Sequence, residues 1–98
     1  MRIRFTPAAR RQFLDAIEFI RRDKPGAARK FRARVESTLR RLEDYPDSGR
    51  NIPEFPELPH RELIVAPYRF LYRTEKRTVW IVAVWHGAQL SDKPDDNV

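Results

Sequence analysis

The chain has 98 residues, a formal net charge of +6 and no cysteine, and a chain of this length supports one modest core. Its composition excludes a disulfide framework, a thiolate metal site and a cysteine nucleophile, and no apolar run approaches the roughly 20 residues that span a bilayer. We therefore predict one small cytoplasmic domain whose positive surface attracts nucleic acid, ribosomes or an acidic protein partner.

The first part of the chain is predicted to form a strand and two helices. Arg2–Phe5 alternates charged and apolar residues, which favours a strand. Thr6-Pro7 then supplies a helix cap and a proline suited to the first helical position. Apolar residues recur every three or four positions up to about Arg22, and again from about Pro25 to Asp44, which predicts two amphipathic helices. The short turn between them predicts an antiparallel helical hairpin.

The second part is predicted to be a loop followed by three strands. Tyr45 to Pro59 carries four prolines, which excludes a helix and discourages a central strand. Segments rich in β-branched and aromatic residues follow at His60–Ala66, Tyr68–Thr74 and Thr78–His86. The charged turn between the last two favours a hairpin. We expect a three-stranded antiparallel meander, with the first strand available as a fourth.

These elements predict an α+β fold of the order β-α-α-β-β-β. The helical hairpin packs on one face of a small, mainly antiparallel sheet, because neither helix can bury its apolar stripe alone. Residues 1–90 are predicted to form a single domain. Residues 91–98, SDKPDDNV, are predicted to be a polar tail.

Alternation along the strands separates two kinds of side chain. In Tyr68–Thr74 the aromatic residues point one way and Arg69 and Arg73 the other, so we expect the arginines on an uncovered face. Thr78–His86 is apolar on both sides, which favours a central position. Strict alternation would divide this strand into two groups, Trp80, Val82, Val84 and His86 against Val79, Ile81, Ala83 and Trp85.

A histidine, arginines and a carboxylate are compatible with phosphodiester chemistry. Cleavage of RNA by its 2′-hydroxyl needs a base, an acid and cations for the transition state. His86 with Glu54 or Glu62 can supply the first two, and Arg69 with Arg73 the third. A histidine at a strand end more often has a structural role, and we interpret His86 as chiefly structural. No metal-ligand spacing and no nucleotide-binding motif is present, so no metal or other cofactor is predicted.

Five segments carry distinctive motifs: FTPAARRQF, AARKFRARVESTLRRLEDYPDSGR, IPEFP, RELIVAPYRFLYR and VWIVAVWHGAQ. Together they resemble the RelE/ParE superfamily of toxins from type II toxin–antitoxin modules, over about residues 2–90. Nuclease members of the superfamily carry a loop glutamate, a strand arginine and a terminal histidine followed by tyrosine, and Glu54, Arg69 and His86 match the first three. Gly87 stands in place of the tyrosine, and the His-Gly ending looks more like the ParE side.

The resemblance implies a growth-inhibiting toxin that poisons DNA gyrase, acts in plasmid stabilization and is neutralised by a cognate antitoxin. The alternative is a ribosome-dependent mRNA endonuclease, so whether the protein is an enzyme stays open, with the non-enzymatic reading favoured. Neither a membrane partner nor sequence-specific DNA binding by the toxin alone is expected. The candidate contacts with the target are Arg61, Arg69, Arg73 and Arg77. The candidate contacts with the antitoxin are Phe13, Ile17, Phe31 and Val35.

Overall fold

Five strands in the described part of the chain form one sheet. The computed structural model describes residues 1–87, and the predicted tail at 91–98 lies outside them. Its elements are β1 (Arg2–Phe5), α1 (Pro7–Asp23), α2 (Pro25–Arg40), β2 (Arg50–Asn51), β3 (Arg61–Val65), β4 (Tyr68–Glu75) and β5 (Thr78–His86). The strand order is β1-β5-β4-β3-β2; β1 is parallel to β5 and the other pairs are antiparallel. The predicted α+β fold is confirmed, with β2 as an additional strand.

The helix boundaries follow from local chemistry. Thr6 caps α1, and its Oγ1 accepts a hydrogen bond from the Ala9 amide at 3.2 Å. Each helix starts with a proline, which needs no amide partner there. Lys24 is extended between the two helices, so they form a hairpin. The second helix ends before the predicted Asp44, because a 3₁₀ turn at Arg41–Glu43 tightens its end.

The helical hairpin covers one face of the sheet. The rings of Phe13 on α1 and Phe31 on α2 lie 5.8 and 6.4 Å from the Phe70 ring of β4, measured between centroids. Tyr68 and Tyr72 belong to the same buried cluster, so the prediction that the aromatic residues of this strand pack beneath the helices is confirmed. Burial of each such side chain stabilises the fold by about 1.5–3 kcal/mol.

The opposite face of the sheet is also covered, and the prediction of an open face was wrong. The proline-rich loop turns back after β2, where Arg50 is paired with Glu62 of β3. It brings Ile52 and Phe55 over a second apolar cluster. The strand members of this cluster are Leu71, Val82, Ala83 and Trp85, with Trp80 packed against them. Prolines argue against a long strand, but two residues free of proline are enough for a short edge strand.

A β-bulge in β5 corrects the predicted alternation. The β4–β5 register shifts between Leu71 and Tyr72 and leaves Val82 as an extra residue. After Val82, each side chain of β5 therefore lies on the face opposite to the one that strict alternation predicts. Val84 joins the helix-side core, whereas Ala83 remains with Val82 in the outer cluster. The prediction that this strand is buried on both faces is confirmed.

Candidate functional site

A cleft of about 520 Å³ lies where the β3–β4 turn meets the end of β5. Glu54, Arg69 and His86 all line it, together with Arg50 and Ile64. The fold therefore brings together the three residues that the resemblance associates with mRNA cleavage. Their contacts decide whether they are available for chemistry.

Arg69 is enclosed in an ion-pair network. Its side chain is only 6% exposed, and its two terminal nitrogens donate to the two carboxylate oxygens of Glu54 at 2.6 and 2.7 Å. Its Nε donates to Oε1 of Glu62 at 2.7 Å. The central carbon of the guanidinium lies over the Trp85 ring, 5.7 Å from the centroid. All three guanidinium nitrogens are therefore engaged by carboxylates of the protein itself.

Glu62 is the inner carboxylate of this network. Its side chain is fully buried, and its second oxygen accepts a hydrogen bond from Nε of Arg50 at 2.6 Å. Two arginines and two carboxylates leave the network without net formal charge. Sequence reasoning treated Glu62 as an alternative to Glu54 and missed its bridging role. The available signal was its position on a strand whose other residues are largely apolar, since a buried carboxylate requires cationic partners.

The network is poorly suited to acid–base catalysis. The bidentate hydrogen bond from Arg69 holds the pKa of Glu54 at about 2, well below its ordinary value of 4.5. The same hydrogen bond raises the pKa of the Arg69 guanidinium. A general acid or base works best when its pKa lies near the working pH. Three of the five N–H groups of Arg69 already donate to carboxylates, so a phosphate would have to compete with Glu54 and Glu62 for this buried guanidinium.

The Glu54–Arg69 pair predicts a loss of stability in acid. Because folding lowers the pKa of Glu54 from 4.5 to about 2, its contribution is complete above pH 4.5 and disappears as the pH falls toward 2. We expect the thermal midpoint of Glu54→Gln, followed by circular dichroism, to fall less steeply in this window than that of the unmodified protein. Equal slopes for the two proteins would contradict the pairing.

His86 lies at the rim of the cleft. It is exposed, and its ring packs edge-on against Tyr68 with 5.5 Å between centroids. The next residue, Gly87, donates its amide to the Pro67 carbonyl at 2.6 Å and ties the end of β5 to the β3–β4 turn. A Cβ at position 87 would lie 3.0 Å from that carbonyl. The close approach of the Pro67 carbonyl therefore explains why position 87 is a glycine.

The four arginines predicted to contact a target are not all at one place: Arg61 and Arg73 line one pocket, whereas Arg69 lines the cleft. Arg69 is buried instead of lying on an uncovered face, because the proline-rich loop closes over it. Arg61 donates to a backbone carbonyl beside β2 at 2.9 Å. Arg73 lies 3.7 Å from a carboxylate oxygen of Glu75, and Arg77 is exposed in the β4–β5 turn. Their role in target binding stays a prediction.

Most of the residues predicted to contact an antitoxin are buried in the core, and one of them lines a groove. Phe31 and Val35 are 3% and 1% exposed and lie in the core between helices and sheet. Phe13 is half-buried in the same cluster. Ile17 also packs against the core but lines a groove of about 370 Å³ between α1 and α2. Most of the apolar stripe is therefore already buried by the sheet, and Ile17 is the member that reaches a groove.

Residues 1–87 contain neither a metal-binding cluster nor a membrane-spanning helix. No group of three or more His, Asp or Glu side chains in this range is placed to hold a metal ion. Neither α1 nor α2 combines the length and the hydropathy needed to cross a bilayer. The cleft that contains the ion-pair network is the candidate functional site.

The fold defines the class of protein. Two helices on a five-stranded, mostly antiparallel sheet are typical of a RelE/ParE-like fold. The model of the family described as ParE toxin of type II toxin-antitoxin system, parDE, matches residues 3–91. The chain belongs to this family, and the resemblance to the ParE side inferred from the sequence is confirmed.

A solved structure has the same fold. The chain is similar to a chain of the structure described as chromosomal ParDE TA system from P. aeruginosa, with 19% sequence identity and a TM-score of 0.67. The match covers 88% of this chain and 95% of that chain. No curated protein matches the chain. Family membership identifies a type II toxin, and the structural likeness supports the fold.

Proposed function

We propose that this toxin arrests growth by poisoning DNA gyrase and that it does not cut mRNA. The observation that carries the proposal is the closed network in the cleft. Arg69, the arginine that a nuclease would use, already donates hydrogen bonds from all three of its nitrogens to Glu54 and Glu62. Gly87 also leaves the position after His86 without the aromatic ring that nuclease members of the superfamily carry there.

Use of Arg69 by a phosphodiester would be costly. Glu54 would first have to leave a bidentate, charge-assisted pair, and a hydrogen bond to a charged group contributes about 1.5–3 kcal/mol. An aromatic ring that stacks on a base contributes on the order of 1–3 kcal/mol and would offset that loss. Gly87 supplies no such ring after His86. A toxin that acts by binding a protein target needs neither step.

We also propose that a cognate antitoxin neutralises the toxin by covering the helical hairpin at the groove that contains Ile17. Arg21, Arg29 and Arg32 border this groove. Pro25 and Ala28 complete its apolar floor. An acidic amphipathic segment matches an apolar floor with a basic rim, and a segment that folds on binding can cover such a long surface.

Two measurements separate the gyrase role from mRNA cleavage. Purified toxin added to DNA gyrase and supercoiled plasmid is expected to accumulate linear, protein-linked DNA, and to yield none when gyrase is omitted. Primer extension on mRNA from induced cells is expected to show no new ends within codons. His86→Gln replaces an exposed side chain at the rim of the cleft, and gyrase-dependent cleavage is expected to be unaffected.

The opposite pattern would reject the proposal. If gyrase yields no linear DNA, and induced cells contain mRNA cut within codons that His86→Gln abolishes, the ribosome-dependent endonuclease is the function. The growth arrest itself does not distinguish the two, because both lesions stop division.

A further inference from the structure

A partly exposed tryptophan lies between two arginines on the sheet face that points away from the helices. Trp80 on β5 is directly opposite Arg4 on β1 and Arg73 on β4, and residues directly opposite on neighbouring strands share a face. The neighbours of Arg4 in β1, Ile3 and Phe5, pack against the helix-side core. The row Arg4–Trp80–Arg73 therefore lies on the outer face, and it is called the cationic row below.

The surroundings of the cationic row are also positive. In the next row along the same strands, Arg2 is opposite Thr78, which is opposite Glu75. The adjoining β4–β5 turn adds the exposed Lys76 and Arg77. Rows and turn together carry five cations and one carboxylate, so the area attracts anions.

We propose that the cationic row binds single-stranded nucleic acid without sequence preference, with one base stacked on Trp80 and the flanking phosphates contacting Arg4 and Arg73. Proteins that bind single strands combine aromatic rings with cations that follow the backbone. Neighbouring strands are about 4.8 Å apart, so the two arginines stand on either side of the ring, within reach of successive phosphates. A duplex keeps its base faces stacked and cannot offer one to Trp80.

The composition of the area favours nucleic acid over a protein partner. The centre of a protein interface is apolar and depleted of charge, whereas the cationic row has one aromatic residue among arginines. The large apolar side chains that are exposed in residues 2–87 belong to α1, to the loop after α2 and to β3. This surface is separate from the cleft, and the proposal does not depend on the gyrase role.

The test uses the purified chain and fluorescein-labelled oligo(dT) of about 15 nucleotides, within the site sizes known for single-strand binders. Fluorescence anisotropy gives the dissociation constant. Trp80→Ala is expected to weaken binding about 5- to 150-fold, the equivalent of 1–3 kcal/mol per stacked base, and Trp80→Phe is expected to retain most of the affinity. Because Trp80 packs on the outer cluster, the fold of each variant is checked by circular dichroism.

A second readout does not depend on Trp80. Arg4→Gln is expected to reduce the slope of log affinity against log salt concentration by about 0.7, the value for one lost phosphate contact on a single strand. The matched control is Arg11→Gln, an equal change of charge at an exposed position of α1, and its slope is expected to stay unchanged.

Three results would overturn the proposal. Equal slopes for the Arg4 and Arg11 variants would show that only the overall charge acts. Duplex DNA binding as tightly as oligo(dT) would show that no base is stacked. If Trp80→Ala weakens the binding of polyglutamate as strongly as it weakens the binding of oligo(dT), the partner is an acidic protein.

Discussion

Replacing Arg69 with methionine is expected to lower the free energy of unfolding by about 3–5 kcal/mol, because breaking a buried ion pair leaves an uncompensated charge. The variant removes one partner from the fully buried Glu62 and both hydrogen bonds from Glu54. A domain of this kind has a total stability of about 5–15 kcal/mol, so the loss is a large fraction of it. Urea unfolding measures the change as a lower midpoint at an unchanged slope.

Arg21→Met is the matched control for this prediction. Arg21 also forms a bidentate pair, with its nitrogens 2.7 and 2.8 Å from the oxygens of Glu18. This pair is exposed on α1, where water replaces the lost contacts, and we expect little change in the unfolding midpoint. If Arg69→Met costs no more than Arg21→Met, the network contributes no more than a surface ion pair.

The same prediction decides how variants without toxicity are interpreted. A substitution of Arg69 that abolishes growth arrest is expected to do so by unfolding the protein, and it does not identify a catalytic arginine. His86 is exposed at the rim of the cleft. A substitution there removes less buried contact than one at Arg69, so it is the better position for a test of chemistry.

Gly49→Ala is expected to destabilise the protein by about 3 kcal/mol, the upper part of the range for overpacking a filled site. A Cβ at this position would lie 2.6 Å from the hydroxyl oxygen of Tyr72 and 2.7 Å from the backbone oxygen of Glu62. The Gly49 amide donates to that hydroxyl at 2.9 Å, and the hydroxyl donates to the Pro46 carbonyl at 2.7 Å. Thermal unfolding measures the effect, at about 4–8 °C per kcal/mol for a domain of this size.

Gly26→Ala makes the same chemical change where there is room for it. The nearest atom to a Cβ at position 26 is a terminal nitrogen of Arg29, 4.0 Å away. The residue lies in α2, where alanine is preferred over glycine by about 0.5–1 kcal/mol. We expect a small rise in the thermal midpoint. A similar rise for Gly49→Ala would show that the turn can move away from Tyr72.

The parts of the fold that were predicted correctly depend on local signals. Thr6-Pro7 is a local signal for the start of a helix, and the apolar stripes require a surface to bury them. The aromatic residues of β4 alternate strictly and were assigned to the correct face. In contrast, the bulge at Val82 lies in a run of apolar residues in which each register looks equally good, so the sequence contains no signal for it.

The three candidate site residues lie together, but the sequence did not predict the contacts that they make. The family motif pointed to Glu54, Arg69 and His86, and the fold places all three at one cleft. The closure of Arg69 depends on the backward turn of the loop after β2, a long-range contact without a local pattern. Glu62 has a role that only the pairing of β2 with β3 creates, because this pairing brings Arg50 beside it.

The parallel pairing of β1 with β5 has a consequence for synthesis. Arg2 aligns with Thr78, so β1 cannot pair until β5 has been synthesised. Contacts this distant in sequence form late, after the loop-closure cost has been met. A nascent chain interrupted before β5 therefore lacks the partner of β1, and the sheet becomes complete only once β5 has left the ribosome.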